Sequence, residues 1–174
     1  MKPSPGSAVF AAAVLAAFAC LTPALAASPR DFLKDAIKGD NSEIMLGRMG
    51  ERRAAAPATR NFAHTLVGDH TQARSEAMRL ADRLRIRPPR RPEREAVEER
   101  DRLQGLSGWA FDREFARYMV ADHRKDIAKF REEADANQGA ASALARHQLP
   151  TLRKHLDMAL ALNARFARYS QRQP

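Results

Sequence analysis

The chain has 174 residues, with 30 Lys and Arg against 21 Asp and Glu, and a formal net charge of +9. Once an expected leader of about 25 residues is set aside, the roughly 145 that remain fit one compact domain and leave no room for a second. The single cysteine, Cys20, falls inside that leader, which excludes disulfides, thiolate metal sites and thiol nucleophiles downstream of it.

Residues 1–26 read as a secretory signal peptide. Lys2 supplies the positive start, residues 8–21 form the apolar stretch, and Ala24-Leu25-Ala26 is a small-x-small cleavage site that places the mature start at Ala27 or Ser28. The apolar stretch is about 14 residues, short of the roughly 20 that a helix needs to cross a bilayer, and no later segment is uniformly apolar. The expectation is a mature protein soluble in the periplasm or cell envelope. Lipid attachment at Cys20 is disfavoured, because Ala17-Phe18-Ala19 puts an aromatic where a small residue is usual.

No stretch alternates apolar and polar residues as a half-buried strand would, while four segments repeat apolar residues every three to four positions. The fold class is therefore all-α, with one domain over residues 29–169. The first helix spans 29–53, with Pro29 in its first turn, Phe32, Ala36, Ile37, Ile44 and Met45 facing inward, and a kink or break expected at 39–42. The second starts near Pro57, carries the stripe Phe62, Leu66, Ala73, Ala77, Leu80 and Leu84, and ends before Pro88-Pro89.

A connector rich in proline and charge follows, with a short helix at 93–103 and the loop Gly105-Leu106-Ser107-Gly108. The third long helix covers 111–136, capped by Asp112, with Phe115, Met119, Ile127 and Phe130 inward. Trp109 and Phe111 form an aromatic anchor at its start. The fourth covers 140–169, is bent by Pro150, and turns Leu152, Leu156, Ala159, Leu160 and Phe166 to the core. A connector of about 22 residues is long enough to run the length of a bundle, so the reading is a ferritin-like four-helix bundle with one long crossover and parallel second and third long helices.

Arg83, Arg85, Arg87, Arg90, Arg91 and Arg94 concentrate positive charge in that connector. An anionic envelope surface, lipid or polymer, is a candidate partner. Glu93, Glu95, Glu98 and Glu99 are interspersed with the arginines, and an exported protein does not meet chromosomal DNA, so nucleic acid is not an expected partner.

The most informative feature is an internal repeat: FAHTLVGDH at 62–70 and FARYMVADH at 115–123 agree at five of nine positions. His70 lies four residues after Leu66, and His123 lies four after Met119 and four before Ile127, so both imidazoles point to the apolar side. In parallel or antiparallel helices, two mid-helix pairs, Asp69-His70 and Asp122-His123, fall at one level of the bundle. His155, between Leu152 and Ala159, and Glu43, beside Ile44, bring the other two helices to the same place.

Buried imidazoles and carboxylates are costly unless hydrogen-bonded, paired or metal-bound. One reading is a transition-metal site for iron, zinc or copper, with Glu43, His70, His123 and His155 as ligands and Asp69 and Asp122 as further ligands or as partners of the histidines. The other is an Asp–His network that fixes helix register. His64 and His147 sit off the stripe or near a helix end and are read as surface residues.

An exported leader, FAHTLVGDH, GLSGWAFD at 105–112, FARYMVADH, and LPTLRKHL at 149–156 together resemble a bacterial family known as domain of unknown function 4142. The resemblance extends over about residues 32–162 and implies a ferritin-like bundle at the outer membrane or in the periplasm, without an established activity. Motif positions it carries onto this chain are Glu43, Asp69, His70, Asp112, Asp122, His123, Pro150 and His155. Ferritin-like di-iron centres use two Glu-x-x-His motifs. Here Val67, Val120 and Leu152 stand three residues before the histidines, so ferroxidase chemistry does not transfer.

Three functions compete at this point: a non-catalytic, stress-related envelope protein that binds a partner or a metal; a metal-dependent redox or metal-storage protein; and a basic module docking on anionic envelope surfaces. No phosphate-binding glycine loop, serine nucleophile elbow or zinc-protease helix is present in the sequence.

Overall fold

The computed structural model describes residues 28–136 and 139–170; the expected leader, its cleavage site and Cys20 lie outside the described residues. Five helices, α1 (Pro29–Arg53), α2 (Pro57–Arg83), α3 (Arg94–Gln104), α4 (Gly108–Ala136) and α5 (Ala140–Ser170), and no strand occur among them. No helix among the described residues is long and apolar enough to cross a membrane.

Ser28 starts α1 by accepting a hydrogen bond on Oγ from the Asp31 backbone N–H at 3.2 Å, satisfying a donor that the first turn leaves without a partner. The break expected at 39–42 does not occur, and α1 is continuous. Packing holds this stretch: Gly39, Asp40, Ser42 and Glu43 are all buried. Ser42 Oγ also donates to the Lys38 carbonyl at 2.9 Å and accepts from the Glu93 N–H at 2.9 Å, tying the connector to α1.

α2 ends at Arg83 because the chain turns left-handed at Arg85, where φ is 53°. The Ile86 N–H then reaches the Ala81 carbonyl at 2.8 Å and the Arg85 N–H reaches Asp82 at 3.0 Å. These are the two bonds of a Schellman stop. The expected inward position of Leu84 is thereby corrected: Leu84 is 43 % exposed, and Ile86 takes its place against Leu33, Ile37, Ala77 and Leu80.

α4 begins three residues earlier than expected, at Gly108, whose φ of 56° suits glycine. Asp112 therefore lies inside α4 and does not cap it. Its carboxylate accepts instead from the Ala55 and Ala56 N–H groups, at 3.0 and 2.7 Å, and so fastens the turn into α2. Phe111 is fully buried, as expected of an anchor, while Trp109 is 43 % exposed and packs edge-on against Phe166. α5 runs unbroken through Pro150.

Side-chain contacts fix the directions. Phe32 meets Phe130, so α1 and α4 are antiparallel; Asp40 meets His70 and Gly50 faces Ala63, so α1 and α2 are antiparallel as well. α2 and α4 accordingly run parallel, joined by the long crossover that carries α3. This is the ferritin-like connectivity. Three apolar clusters fill the interior, one around Phe62, Leu66, Phe115 and Met119, one around Phe32, Ile127, Phe130 and Leu152, and one around Leu33, Ile37, Ala77 and Leu80. Between them lies a polar layer.

Candidate metal centre

Each bundle helix sends one buried polar side chain into that layer: Glu43 from α1, His70 from α2, His123 from α4 and His155 from α5. On α1, α4 and α5 the residue sits between members of the first two clusters, for instance Met119 and Ile127 around His123, and on α2 His70 sits between Leu66 of the first and Ala77 of the third, so helical periodicity turns each inward. The repeat packs in register: Phe62 and Phe115 meet edge-on at 6.2 Å, and two turns further His70 and His123 meet at 5.8 Å between ring centroids.

His70, His123 and His155 form a closed triangle, with centroid separations of 5.8, 5.1 and 5.3 Å. One ligand atom from each lies within 4.8 Å of the others, and His123 forms a second such group with Glu43 and Asp122.

In each ring one nitrogen is engaged outward. His70 Nδ1 bonds Asp40 Oδ1 at 2.9 Å, His123 Nδ1 bonds the Met119 carbonyl at 3.0 Å, and His155 Nε2 bonds Asp69 Oδ2 at 2.8 Å. Because a carbonyl only accepts, His123 Nδ1 must carry the proton. The remaining nitrogens, His70 Nε2, His123 Nε2 and His155 Nδ1, are buried with no protein hydrogen-bond partner.

Burial pushes the His123 imidazole well below its ordinary range, and His70 and His155 nearby push it further. Burial also brings His155 down to about 4, against the opposing hold of Asp69. Both rings are therefore neutral at pH 7, with a lone pair on the inner nitrogen.

Glu43 is fully buried and both its carboxylate oxygens lack a hydrogen-bond partner. Burial first, then the charge of Asp122, raise it well above the usual carboxylate range. The neutral form of Glu43 is accordingly favoured in the metal-free core.

The two aspartates of the repeat do different jobs. Asp122 is buried beside Glu43, whereas the Asp69 side chain is 34 % exposed and meets both His155 and Lys154. Although desolvation opposes it, the bonds from His155 and Lys154 hold Asp69 below the usual range. Asp40 and Asp126 are site residues that the sequence reading missed. Asp40 orients His70, and Asp126, one turn beyond Asp122, is raised to about 7 by burial and by Asp122. Asp40 lies three residues before Glu43, on the same helical face, a spacing that would have revealed it had the segment not been taken for a break. His64 and His147 lie at the surface, with side chains 84 % and 69 % exposed, paired to Glu51 and Glu76.

The donor set does not fit the two-metal centre of ferritins, which needs two Glu-x-x-His motifs and a bridging set of carboxylates. It fits one ion: three imidazole nitrogens and one carboxylate.

A family model described as Domain of unknown function (DUF4142) matches residues 15–162, and the chain belongs to that family. No curated protein and no solved structure matches it.

Proposed function

We propose that this DUF4142 protein is an exported envelope protein whose bundle core binds one divalent transition-metal ion without turning over a substrate. The ligands are His70 Nε2, His123 Nε2 and His155 Nδ1, with Glu43 completing a four-coordinate set. The observation that carries the reading is the one-sided satisfaction of the three rings: every outer nitrogen has a partner, and every inner nitrogen is buried without one.

An Asp–His network that only fixed helix register would have no reason to aim three lone pairs at one point. Metal-bound histidines, by contrast, typically give their other N–H to a carboxylate or carbonyl, which sets the tautomer and the ring plane. Tetrahedral bonds of about 2.0–2.1 Å put ligand nitrogens roughly 3.3 Å apart. The ligand nitrogens, within 4.8 Å of one another, need to close by at most about 1.5 Å around the ion. Its charge would favour ionised Glu43, so binding releases a proton.

Export is supported by the leader pattern of residues 1–26, and attraction to anionic envelope surfaces by the exposed Arg83, Arg85, Arg87, Arg90 and Arg91 along the crossover.

Elemental analysis of the purified protein before and after chelation tests the metal. About one equivalent of zinc, iron or copper is expected, and returning it to stripped protein should raise the melting temperature. At a free ion concentration 100-fold above Kd the stabilisation is about 2.7 kcal/mol. His70→Ala and His155→Ala should lose most of that gain. No bound metal and no thermal response to any of the three ions would defeat the reading.

A further inference from the structure

A cleft of about 210 Å³ opens along the seam between α2 and α5 and is also lined from α1 and α4. At its mouth are Glu76 and the exposed His147, with His147 Nε2 3.7 Å from Glu76 Oε2, and Gln148 Nε2 reaches the same Glu76 oxygen at 3.4 Å. The cleft follows one face of each helix for seven or eight residues, about 10–12 Å of helical rise, and its lining includes Asp40, Asp69, His70 and His155.

The walls include four carboxylates, Asp40, Asp69, Glu76 and Asp126, and no Lys or Arg is among the lining residues. Lys154 and Lys129 touch Asp69 and Asp126 from outside the cleft, at 3.4 and 3.5 Å. This is an inversion of the molecule's overall charge of +9. A second observation points to a cation: Asp40, 94 % buried and a lining residue, leaves its Oδ2 without a hydrogen-bond partner.

Resting on the metal reading above, we propose that this cleft is the route by which a divalent cation enters the core. Glu76 and His147 capture the ion at the mouth, where a carboxylate oxygen and an imidazole nitrogen stand on facing helices. Asp40 and Asp69 receive it next. Each is bonded to the outer nitrogen of a core histidine, so an ion drawn to these carboxylates stands beside His70 and His155, whose inner nitrogens complete the transfer. A cleft whose lining carries carboxylates and no basic Lys or Arg side chain concentrates counter-ions, an effect that raises capture rates by about 10- to 1,000-fold.

The test is stopped-flow mixing of metal-free protein with cobalt(II) chloride, following the visible absorption of the loaded site. Glu76→Gln/His147→Ala should take up cobalt roughly tenfold more slowly at low salt, with the loaded spectrum unchanged and the wild-type rate falling as salt is added. Glu51→Gln/His64→Ala is the control, because it removes a chemically equivalent surface pair, 2.8 Å apart, at the opposite end of α2. It should match wild type. Equal slowing in both variants, or in neither, overturns the route while leaving the core site standing. A changed spectrum in Glu76→Gln/His147→Ala also overturns it, since those residues would then be ligands. A wild type that takes up no cobalt and shows no thermal response to zinc, iron or copper removes the core site and the route together, and one that responds to those ions but takes up no cobalt overturns the route alone.

Discussion

Glu43 shows at the scale of one residue how function and stability conflict here. A fully buried carboxyl with neither oxygen hydrogen-bonded forfeits its water without replacement, which costs about 1–3 kcal/mol. Replacing a buried polar group with an apolar one of similar shape is often stabilising. Glu43→Met is therefore expected to melt at a higher temperature than wild type when both are metal-free, and to gain less from added zinc. A lower melting temperature for metal-free Glu43→Met would mean that the carboxyl supports the fold. Inward placement of His70, His123, His155 and Glu43 was legible because three-to-four spacing against leucine, methionine and isoleucine decides which way a helical side chain points. Division of labour between Asp69 and Asp122 was not. Both precede a histidine in the same repeat, but Asp69 borders the α2–α5 cleft, and Asp122 is enclosed with Glu43.

Between α1 and α2 the contact depends on two glycines that bring the helix axes close. A Cβ at Gly47 would come within 2.8 Å of Val67 Cγ2, part of a β-branched side chain that is stiff in a helix, and 3.1 Å of the Ala63 carbonyl oxygen. At Gly50 it would lie 2.7 Å from the Ala63 Cβ and 3.0 Å from the Phe115 ring, neither of which can swing aside. Helix propensity favours alanine over glycine by about 1 kcal/mol, whereas overpacking a tight core costs about 1–3 kcal/mol. At both glycines overpacking wins. Gly50→Ala should shift the urea midpoint to lower concentration, and so should Gly47→Ala; equal midpoints for wild type and both variants would contradict a close α1–α2 approach. Apolar periodicity made the helices themselves legible, and the bounds of α1 and α2 agree with proline at both starts. Hidden from it were tertiary effects: the burial that keeps 39–42 helical, and the use of Asp112 to hold the entry of α2 from another helix.

For the whole molecule, the length of the crossover was enough to set α2 and α4 parallel, since a short turn would have made them antiparallel neighbours. Sequence spacing could not reveal that burial leaves the carboxyls and imidazoles with opposing pH dependences. Asp40 and Glu43 are raised by burial, Asp126 reaches about 7 by burial and the charge of Asp122, and Glu99 reaches about 7 by burial and the charge of Glu114. A carboxyl with a raised folded-state pKa contributes stability that is full below its unfolded value, near 4, and is lost as pH rises through the folded value. His123 and His155 are lowered, so their contribution is full above about 6.5 and is lost as pH falls, through about 4 for His155. From pH 4 to 6.5 the two sets offset one another. Above 6.5 the histidine contribution is complete, and only the carboxyls continue to titrate. Melting of the chelated protein should therefore move to lower temperature between pH 6.5 and 8, and Glu99→Gln/Asp126→Asn, which keeps both positions neutral, should flatten that decline. Zinc-loaded protein should decline less, because the ion stabilises ionised Glu43. A metal-free melting temperature that rises steadily from pH 6.5 to 8 would show that these carboxyls are already ionised in the fold.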